Sequence, residues 1–466
     1  MSSAKVHPAT ASPRLFGTDG VRGVANQYPI TSEVALKLAR ALAQVFRRPT
    51  GRHRRILIGK DTRLSGYMLE TAMASGICSM GADVMLVGPM PTPGIAFLTR
   101  TMRAAAGVVI SASHNPYQDN GIKFFSHEGF KLDDEIERQI EDLVFDESKL
   151  DRGVGPGEIG KAMRIDDAIG RYMVFLKSCL QRACTFDGLK VVIDCANGAA
   201  YKVGPDVLDE LSADVIALGV DPDGKNINRD GGALNPARVR ETVLREHADI
   251  GVALDGDADR AILVDSKGDV LDGDDVLAIM GRALAAKGKL AANTVVATVM
   301  SNLGLDKSLA EAGISLARTD VGDPAVCREM RANGYNLGGE QSGHLIFMDC
   351  STTGDGLITT LMVLEHMLDS GKPLCELRAM HRFPQVLHNV KVRNRVPFAE
   401  MRDVARTIGA VEARLNGRGR VFVRYSGTEM LARVMIEGED EKEIEASARE
   451  IGAMIEKHIG AGARSS

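Results

Sequence analysis

No stretch of this sequence holds 18 or more consecutive apolar residues, so it is not read as crossing a membrane as a helix. The chain also lacks the basic excess of a general nucleic-acid binder. Lys and Arg number 57 against 62 Asp and Glu, a net charge of −5. Its seven cysteines form no CxxC, which argues against a structural zinc site and against a disulfide framework. Scattered thiols of that kind suit a reducing cytoplasm. The first fourteen residues, through Arg14, have no apolar core of a secretory signal and read as a disordered tail. What is present is ordinary for a protein with several cores: 44% hydrophobic and 26% charged residues. At roughly 150 residues per domain, 466 residues suggest three or four domains.

The 49 glycines are placed informatively. Short apolar runs repeatedly end in loops of Gly, Ser, Asp or Asn. Ile56–Ile58 runs into Gly59-Lys60-Asp61, Val108–Ile110 into Ser111-Ala112-Ser113-His114, and Val191–Ile193 into Asp194-Cys195-Ala196-Asn197. Val252–Leu254 runs into Asp255-Gly256-Asp257, Val295–Ala297 into a loop at Ser301-Asn302, and Tyr335–Leu337 into Gly338-Gly339-Glu340. Such runs read as buried, mostly parallel strands, and helical-period stretches at Val34 onward and Val239–His247 lie between them. The class is therefore α/β. From about residue 380 the pattern changes to three strands, Val386–Val392, Val421–Arg424 and Leu431–Ile436. A closing helix, Glu441–His458, puts Ile444, Ala448, Ile451 and Ile455 on one face. The expected division is a tail to residue 14, then domains 15–160, 161–265, 266–375 and 376–466, with 151–160 as a Gly-rich linker. Gly155–Gly160 is formally GxGxxG, but it follows no strand and carries Pro156 in the turn, so it is not read as a dinucleotide site.

Ligands of open α/β sheets sit beyond strand ends, where these loops fall. In Asp255-Gly256-Asp257-Ala258-Asp259-Arg260 three carboxylates alternate with the smallest residues, so a tight turn can aim several oxygens at one point. Oxygen ligands favour Mg²⁺, Mn²⁺ or Ca²⁺ over zinc. An acidic turn bonding its own backbone is the plainer alternative. An EF-hand fails, since Arg260 stands where Gly would be needed and Ser266 where Glu would be. Ser113, beside His114, Asn115 and Pro116, is a candidate nucleophile, with Lys123 or His114 handling its proton; a Ser/Asn turn is the alternative. No GxSxG surrounds it, and Gly339–Gly343 does not supply one, so an α/β-hydrolase is not indicated. Phe16–Gly23 around Arg22, Lys60–Arg63, and Arg424–Glu429 are candidate anion loops, and Glu340 with Ser342 would suit sugar hydroxyls. A hydroxyl, a metal loop, a proton carrier and separate anion grips together point to phosphoryl transfer.

FGTDGVRG, ISASHNPYQDNGIKFF, DGDADR, GGEQSGH and RYSGTE occur in the order found in α-D-phosphohexomutases, and the chain resembles that family from about Arg14 to its end. KDTRLSGYMLE, GPMPTPGIAFLTRT, TTGDGL and FPQVL make it most similar to the family's bacterial glucosamine-phosphate branch. The resemblance implies three similar mixed-sheet α/β domains and a C-terminal α+β domain resembling the TATA-box-binding-protein fold, around a central cleft. It implies a phosphoserine at Ser113, with Ser113, Asp255, Asp257 and Asp259 around one Mg²⁺. Lys123 would be the acid/base group, with His114 beside the serine, while Arg22 and Arg260 steady the moving phosphoryl. Glu340 and Ser342 would hold the sugar, and Arg424, Ser426, Gly427 and Thr428 the phosphate that does not react. The implied reaction interconverts glucosamine 6-phosphate and glucosamine 1-phosphate through a sugar 1,6-bisphosphate, feeding UDP-N-acetylglucosamine and cell-wall precursors. Mannose or glucose phosphates are the alternative substrates; a metal-dependent sugar phosphatase or a non-catalytic sugar-phosphate sensor are the alternatives of another class. A cytoplasmic homodimer is implied, with sugar phosphates and neither nucleic acid nor membrane as partners. The chain departs from the family pattern at Ala258, where Gly is usual, at Asp320 for Lys, at Pro324-Ala325 for Arg-Tyr, and at Met430 for Pro.

Overall fold

The computed structural model describes residues 14–17, 19–47, 55–181, 184–426 and 429–461. The expected tail before Arg14 and the residues Gly427 and Thr428 lie outside the described residues. The chain divides into two compact units: residues up to Val299 with Ala317–Arg378, and Met300–Leu316 with the residues from Ala379 onward.

The first sheet runs, in spatial order, Val21–Val24, Asp119–Ser126, Ala106–Ile110, Arg55–Lys60, Asp83–Pro89 and Ala162–Arg164. Its centre is buried because Ile56, Ile58, Val108 and Ile110 pack beneath the helices Ser32–Val45 and Ser65–Ser79. The first of these helices starts at Thr31, whose side chain accepts the Val34 amide, and buries Ala35, Leu38 and Leu42 at helical spacing. The segment read as a linker runs against the C-terminal end of the helix Ser65–Ser79, with Val154 and Gly160 donating to the carbonyls of Ser79 and Cys78. Beyond it Ala162–Arg164 pairs parallel with Asp83–Pro89, so the first sheet continues past residue 160.

The second sheet orders Val270–Leu271, Ala261–Asp265, Ile250–Leu254, Lys190–Asp194 and Asp214–Leu218; the third orders Ser315–Thr319, Thr294–Thr298, Leu337–Gly339 and Leu345–Phe347. All three sheets are mixed, as the resemblance implies, with antiparallel pairs that the strand runs alone did not reveal. Ala106–Ile110 pairs antiparallel with Asp119–Ser126, Ile250–Leu254 with Ala261–Asp265, and Leu337–Gly339 with Leu345–Phe347. The serine, aspartate and Glu340 loops are the three connections within those pairs. Each is too short for a crossover, so the following strand can only return antiparallel. The three domains therefore use one device three times: a buried strand, a functional loop, and a strand that comes straight back.

In the second unit, Gln385–Lys391, Leu431–Gly438 and Gly419–Tyr425 form an antiparallel sheet in that order. The closing helix Glu441–Ile459, capped by Asp440, buries the expected face of Ile444, Ala448, Ile451 and Ile455. All seven cysteines are free thiols. Among the described residues no helix is long and apolar enough to cross a membrane.

Within the first unit the helix Ala168–Ser178 is tied to the helix Gly356–Ser370 through one buried carboxylate. Asp355 accepts the Leu357 and Ile358 amides, both at 3.0 Å, and the Tyr172 hydroxyl at 2.6 Å. Burial pushes its carboxyl up to about 6, and those hydrogen bonds offset the shift only in part. A folded pKa above the unfolded one gives stability that is present in acid and lost as pH rises through 6. Asp355→Asn keeps the cap without the charge. Chemical denaturation from pH 4 to 7 should show the wild type losing about 3 kcal/mol relative to this variant. A pH-independent difference would contradict the assignment.

Candidate active site

The metal loop is built first from its backbone. Asp255–Arg260 is the turn between antiparallel strands, closed by the Ala258 amide on the Asp255 carbonyl and the Arg260 amide on Asp255 Oδ1. Gly256 passes so close to the serine loop that a Cβ there would sit 2.6 Å from the Ser113 carbonyl oxygen. Ala258 has φ 55°, the left-handed region in which alanine is strained by about 1 kcal/mol. Its methyl is fully buried, which offsets most of that cost at about 0.8 kcal/mol per buried methyl-sized group. Alanine is therefore tolerated where glycine is the family's choice.

The result is that Asp255, Asp257 and Asp259, all buried, place carboxylate oxygens within 4.8 Å of one another. The Oδ1 atoms of Asp257 and Asp259 are buried with no hydrogen-bond partner. Burial pushes Asp255 well above the usual carboxylate range, and repulsion from Asp259 and Asp257 adds to it. Asp259 is also penalised by burial, but His344 and Lys123 outweigh that and hold it well below the range. Unpaired hard oxygens and mutual repulsion are the signature of a seat for a divalent cation, so the donor set fits Mg²⁺.

Ser113 is delivered to this triad by a separate set of bonds. It is 1% exposed, has φ 51°, and its hydroxyl donates to Asp255 Oδ2 at 2.5 Å. Its amide donates to Ser111 Oγ, which donates in turn to Asp61 Oδ2 at 2.6 Å. The loop is held from below by Arg63, which is fully buried. Arg63 Nε donates to Asp61, one terminal nitrogen to the Pro116 and Asp119 carbonyls, and the other to those of Ser113 and Asn115. All five guanidinium N–H groups are thereby used. From the second domain Asn228 Nδ2 adds bonds to the Ser113 and Asn115 carbonyls at 2.8 and 2.9 Å. Lys60–Arg63, read as an anion loop, is thus scaffolding: Lys60 is paired with buried Glu70, and Arg63 binds only protein. Arg beside Asp and Thr reads the same whether it faces solvent or its own chain.

The proton carriers separate clearly. His114 Nδ1 lies 3.3 Å from Ser113 Oγ, but burial, reinforced by Arg260 and Arg22, pushes its imidazole down to about 4. It is neutral near pH 7 and a weak base. Lys123 is 1% exposed, with Nζ 2.9 Å from Asp257 Oδ2 and 3.1 Å from Asp19 Oδ2. Burial would lower it, but Asp19, Asp257 and Asp259 more than compensate and raise it above the ordinary lysine range. Arg22 pairs with the same Asp19, and Arg260 Nε lies 3.8 Å from Asp259 Oδ1.

Glu340 Oε1 accepts the Gly322 amide at 2.9 Å, which ties the Glu340 loop to the stretch 320–325. Ser342 Oγ is buried without a partner. Pro324 stands in the first turn of the helix Asp323–Asn333, where its missing N–H is no loss. A cavity of about 630 Å³ opens here, lined by Lys123, Asp19, Lys131, Asp320, Asp323 and Thr353 among others. That is the size of a small-molecule site. Arg424 is the penultimate residue of the strand Gly419–Tyr425 in the second unit and Ser426 Oγ accepts the Glu429 amide; their partners in the motif, Gly427 and Thr428, are outside the described residues. Asp19, Lys131, Asn228 and Asp323 were not singled out from the sequence. Only Asp19 had a usable signal, its place in the same glycine loop as Arg22.

Four successive regions match the phosphoglucomutase/phosphomannomutase domains: alpha/beta/alpha domain I over residues 13–151, domain II over 171–268, domain III over 272–383 and the C-terminal domain over 387–453. The chain belongs to this family, the α-D-phosphohexomutases, and is an isomerase that transfers phosphoryl groups. It is 57% identical over 448 residues to the phosphoglucosamine mutase of Syntrophotalea carbinolica, covering 96% of this chain and 98% of that one. Identity is 59% over 457 residues to the phosphoglucosamine mutase of Anaeromyxobacter sp. strain Fw109-5, covering 97% of each. The fold matches that of a phosphoglucomutase/phosphomannomutase family protein from Burkholderia thailandensis, with TM-score 0.80, 22% identity, and 97% and 98% of the two chains covered. It also matches Aspergillus fumigatus N-acetylphosphoglucosamine mutase, solved with GlcNAc-6P and magnesium, with TM-score 0.63, 16% identity and 95% of each chain covered.

The scaffold makes a sharp prediction. Arg63→Lys keeps the charge but offers three donors from one point, leaving carbonyls of the serine loop unsatisfied. Stability should fall by about 3 kcal/mol and activity by at least about tenfold. Urea denaturation beside an activity assay checks both, and a fully stable, fully active variant would contradict the scaffold role.

Proposed function

We propose that this enzyme interconverts glucosamine 6-phosphate and glucosamine 1-phosphate through phosphorylated Ser113 and a sugar 1,6-bisphosphate. The observation that carries the reading is the Ser113 hydroxyl on a buried aspartate triad with two unpartnered oxygens. In the first half-reaction the sugar O1 attacks the phosphoserine. The bond from phosphorus to O1 forms as the bond to Ser113 Oγ breaks; the Lys123 ammonium gives a proton to the departing Oγ and takes the O1 proton in its place, so the lysine ends the step as it began. The bisphosphate then presents its 6-phosphate to Ser113 and the same changes run in reverse. Asp255, Asp257 and Asp259 would hold Mg²⁺, which would supply a Lewis acid for the phosphoryl group being transferred. Arg22 and Arg260 offset charge on the phosphoryl in flight.

Glu340 and Ser342 hold sugar hydroxyls in this reading; the unpartnered Ser342 Oγ supports it. Arg424 and Ser426, with Gly427 and Thr428, bind phosphate. The preference for the amino sugar is supported by relatives at 57% and 59% identity that are named phosphoglucosamine mutases. It also suits the presence of Asp320 in the cavity lining, a carboxylate that can accept an ammonium. Free thiols throughout suit the cytoplasm, where this reading places the enzyme.

Two measurements test it. Peptide mass spectrometry should find phosphate on Ser113, and Ser113→Ala should lower turnover at least about 10³-fold. Glucosamine, glucose and mannose 6-phosphates, each with Mg²⁺ and a trace of the matching bisphosphate, should rank in that order by kcat/KM. A fully active Ser113→Ala variant would overturn the covalent route. Mannose 6-phosphate ranking first would overturn the amino-sugar assignment and leave the mutase. Steady release of inorganic phosphate instead of 1-phosphate would mark a phosphatase.

A further inference from the structure

Asp19 is the meeting point of three cations. Its Oδ2 faces Arg22 and the Lys123 ammonium, and its Oδ1 faces Lys131. Lys131 also reaches across to Asp323 Oδ2 at 2.7 Å. Asp323 is the first residue of its helix, directly after Gly322, whose amide Glu340 holds. Asp257, Lys123, Asp19, Lys131 and Asp323 thus form one chain of alternating charge, from the metal loop of the second domain through the first domain to the sugar loop of the third. The Lys131 side chain is 17% exposed, so both of its pairs are largely shielded from water and its loss would not be made good by solvent.

We propose that Lys131 is a positioning residue for phosphoryl transfer. By holding Asp19 and Asp323 together, it fixes where Arg22 and Lys123 stand relative to the loop that carries Glu340. This rests on the roles of Arg22 and Lys123 in the proposed function. Lys131 also sets how much of the Asp19 charge the other two cations feel. Without Lys131, Asp19 is left to Arg22 and Lys123 alone and draws both toward itself, away from the reacting end. His344 Nε2 lies 3.7 Å from Asp323 but accepts the Gly354 amide, so it does not replace the lysine. Lys131 itself is assigned no contact with the substrate, so the damage falls chiefly on the rate of transfer.

The test compares Lys131→Met, Lys131→Arg and the double variant Lys131→Met/Asp19→Asn, using the full chain with Mg²⁺, glucosamine 6-phosphate and the bisphosphate. Lys131→Met should lower kcat about 10- to 100-fold, the usual range for groups that orient the reacting ones, with KM nearly unchanged. Lys131→Arg should recover most of the loss. The double variant should be faster than Lys131→Met alone, because the surplus charge is gone; loss of packing would not produce that reversal. Wild-type kcat in Lys131→Met, or a double variant no faster than Lys131→Met, overturns the proposal. Should Lys131→Met fail to fold, Asp323→Asn carries the test: kcat must fall with KM held, and an unchanged kcat overturns it. A wild type inactive on every sugar phosphate would instead overturn the proposed function itself, so the two failures are distinct.

Discussion

Three carboxylates on one tight, buried turn cannot all keep their charge without positive charge beside them, and much of this molecule answers that constraint. Two like charges about 4 Å apart repel by roughly 4 kcal/mol at an effective dielectric near 20. Lys123 reaches two of the acids, His344 and Arg260 approach Asp259, and Asp255 accepts a hydrogen bond from the Ser113 hydroxyl. These partners are still too few, since one oxygen each of Asp257 and Asp259 has nothing to bond. What remains is a cation-shaped deficit with a serine hydroxyl pointing into it.

The neighbouring architecture keeps that deficit in place by making a loop rigid from beneath. Arg63 threads its five donors into the carbonyls of residues 113, 115, 116 and 119 and the carboxylate of Asp61. The serine can therefore hold a left-handed φ in a segment with no regular structure of its own. Asn228 and the Thr92 hydroxyl, which donates to Asp257 at 2.6 Å, bind the first and second domains at the same point. Chemistry and domain contact are one set of interactions here, which is why the metal and serine loops must be read together.

Local sequence carried the loops well. An apolar triplet ending in Ser-Ala-Ser-His or Asp-Gly-Asp is legible because strand burial and turn chemistry are both short-range. The closing helix was equally legible, since Ile444, Ala448, Ile451 and Ile455 recur at one period. Strand direction was not. A buried run of Val and Ile looks the same whether its neighbour is parallel or antiparallel, and only loop length separates them. Arg63 was misread because nothing in Lys-Asp-Thr-Arg says that the guanidinium points inward. Lys131 and Asp323 were invisible for a different reason: they lie far apart in the chain, and their pairing exists only once the third domain is packed on the first.

The central claim is that Asp255, Asp257 and Asp259 hold one divalent cation against a phosphate on Ser113. Electron–nuclear double resonance on phosphorylated protein loaded with Mn²⁺ reads this without any turnover. The account predicts one bound Mn²⁺ per chain with a resolved phosphorus coupling that disappears in Ser113→Ala while the metal stays, and a metal that is lost in Asp257→Asn. Bound Mn²⁺ showing no phosphorus coupling in protein whose Ser113 carries phosphate, or undiminished binding in Asp257→Asn, would contradict it.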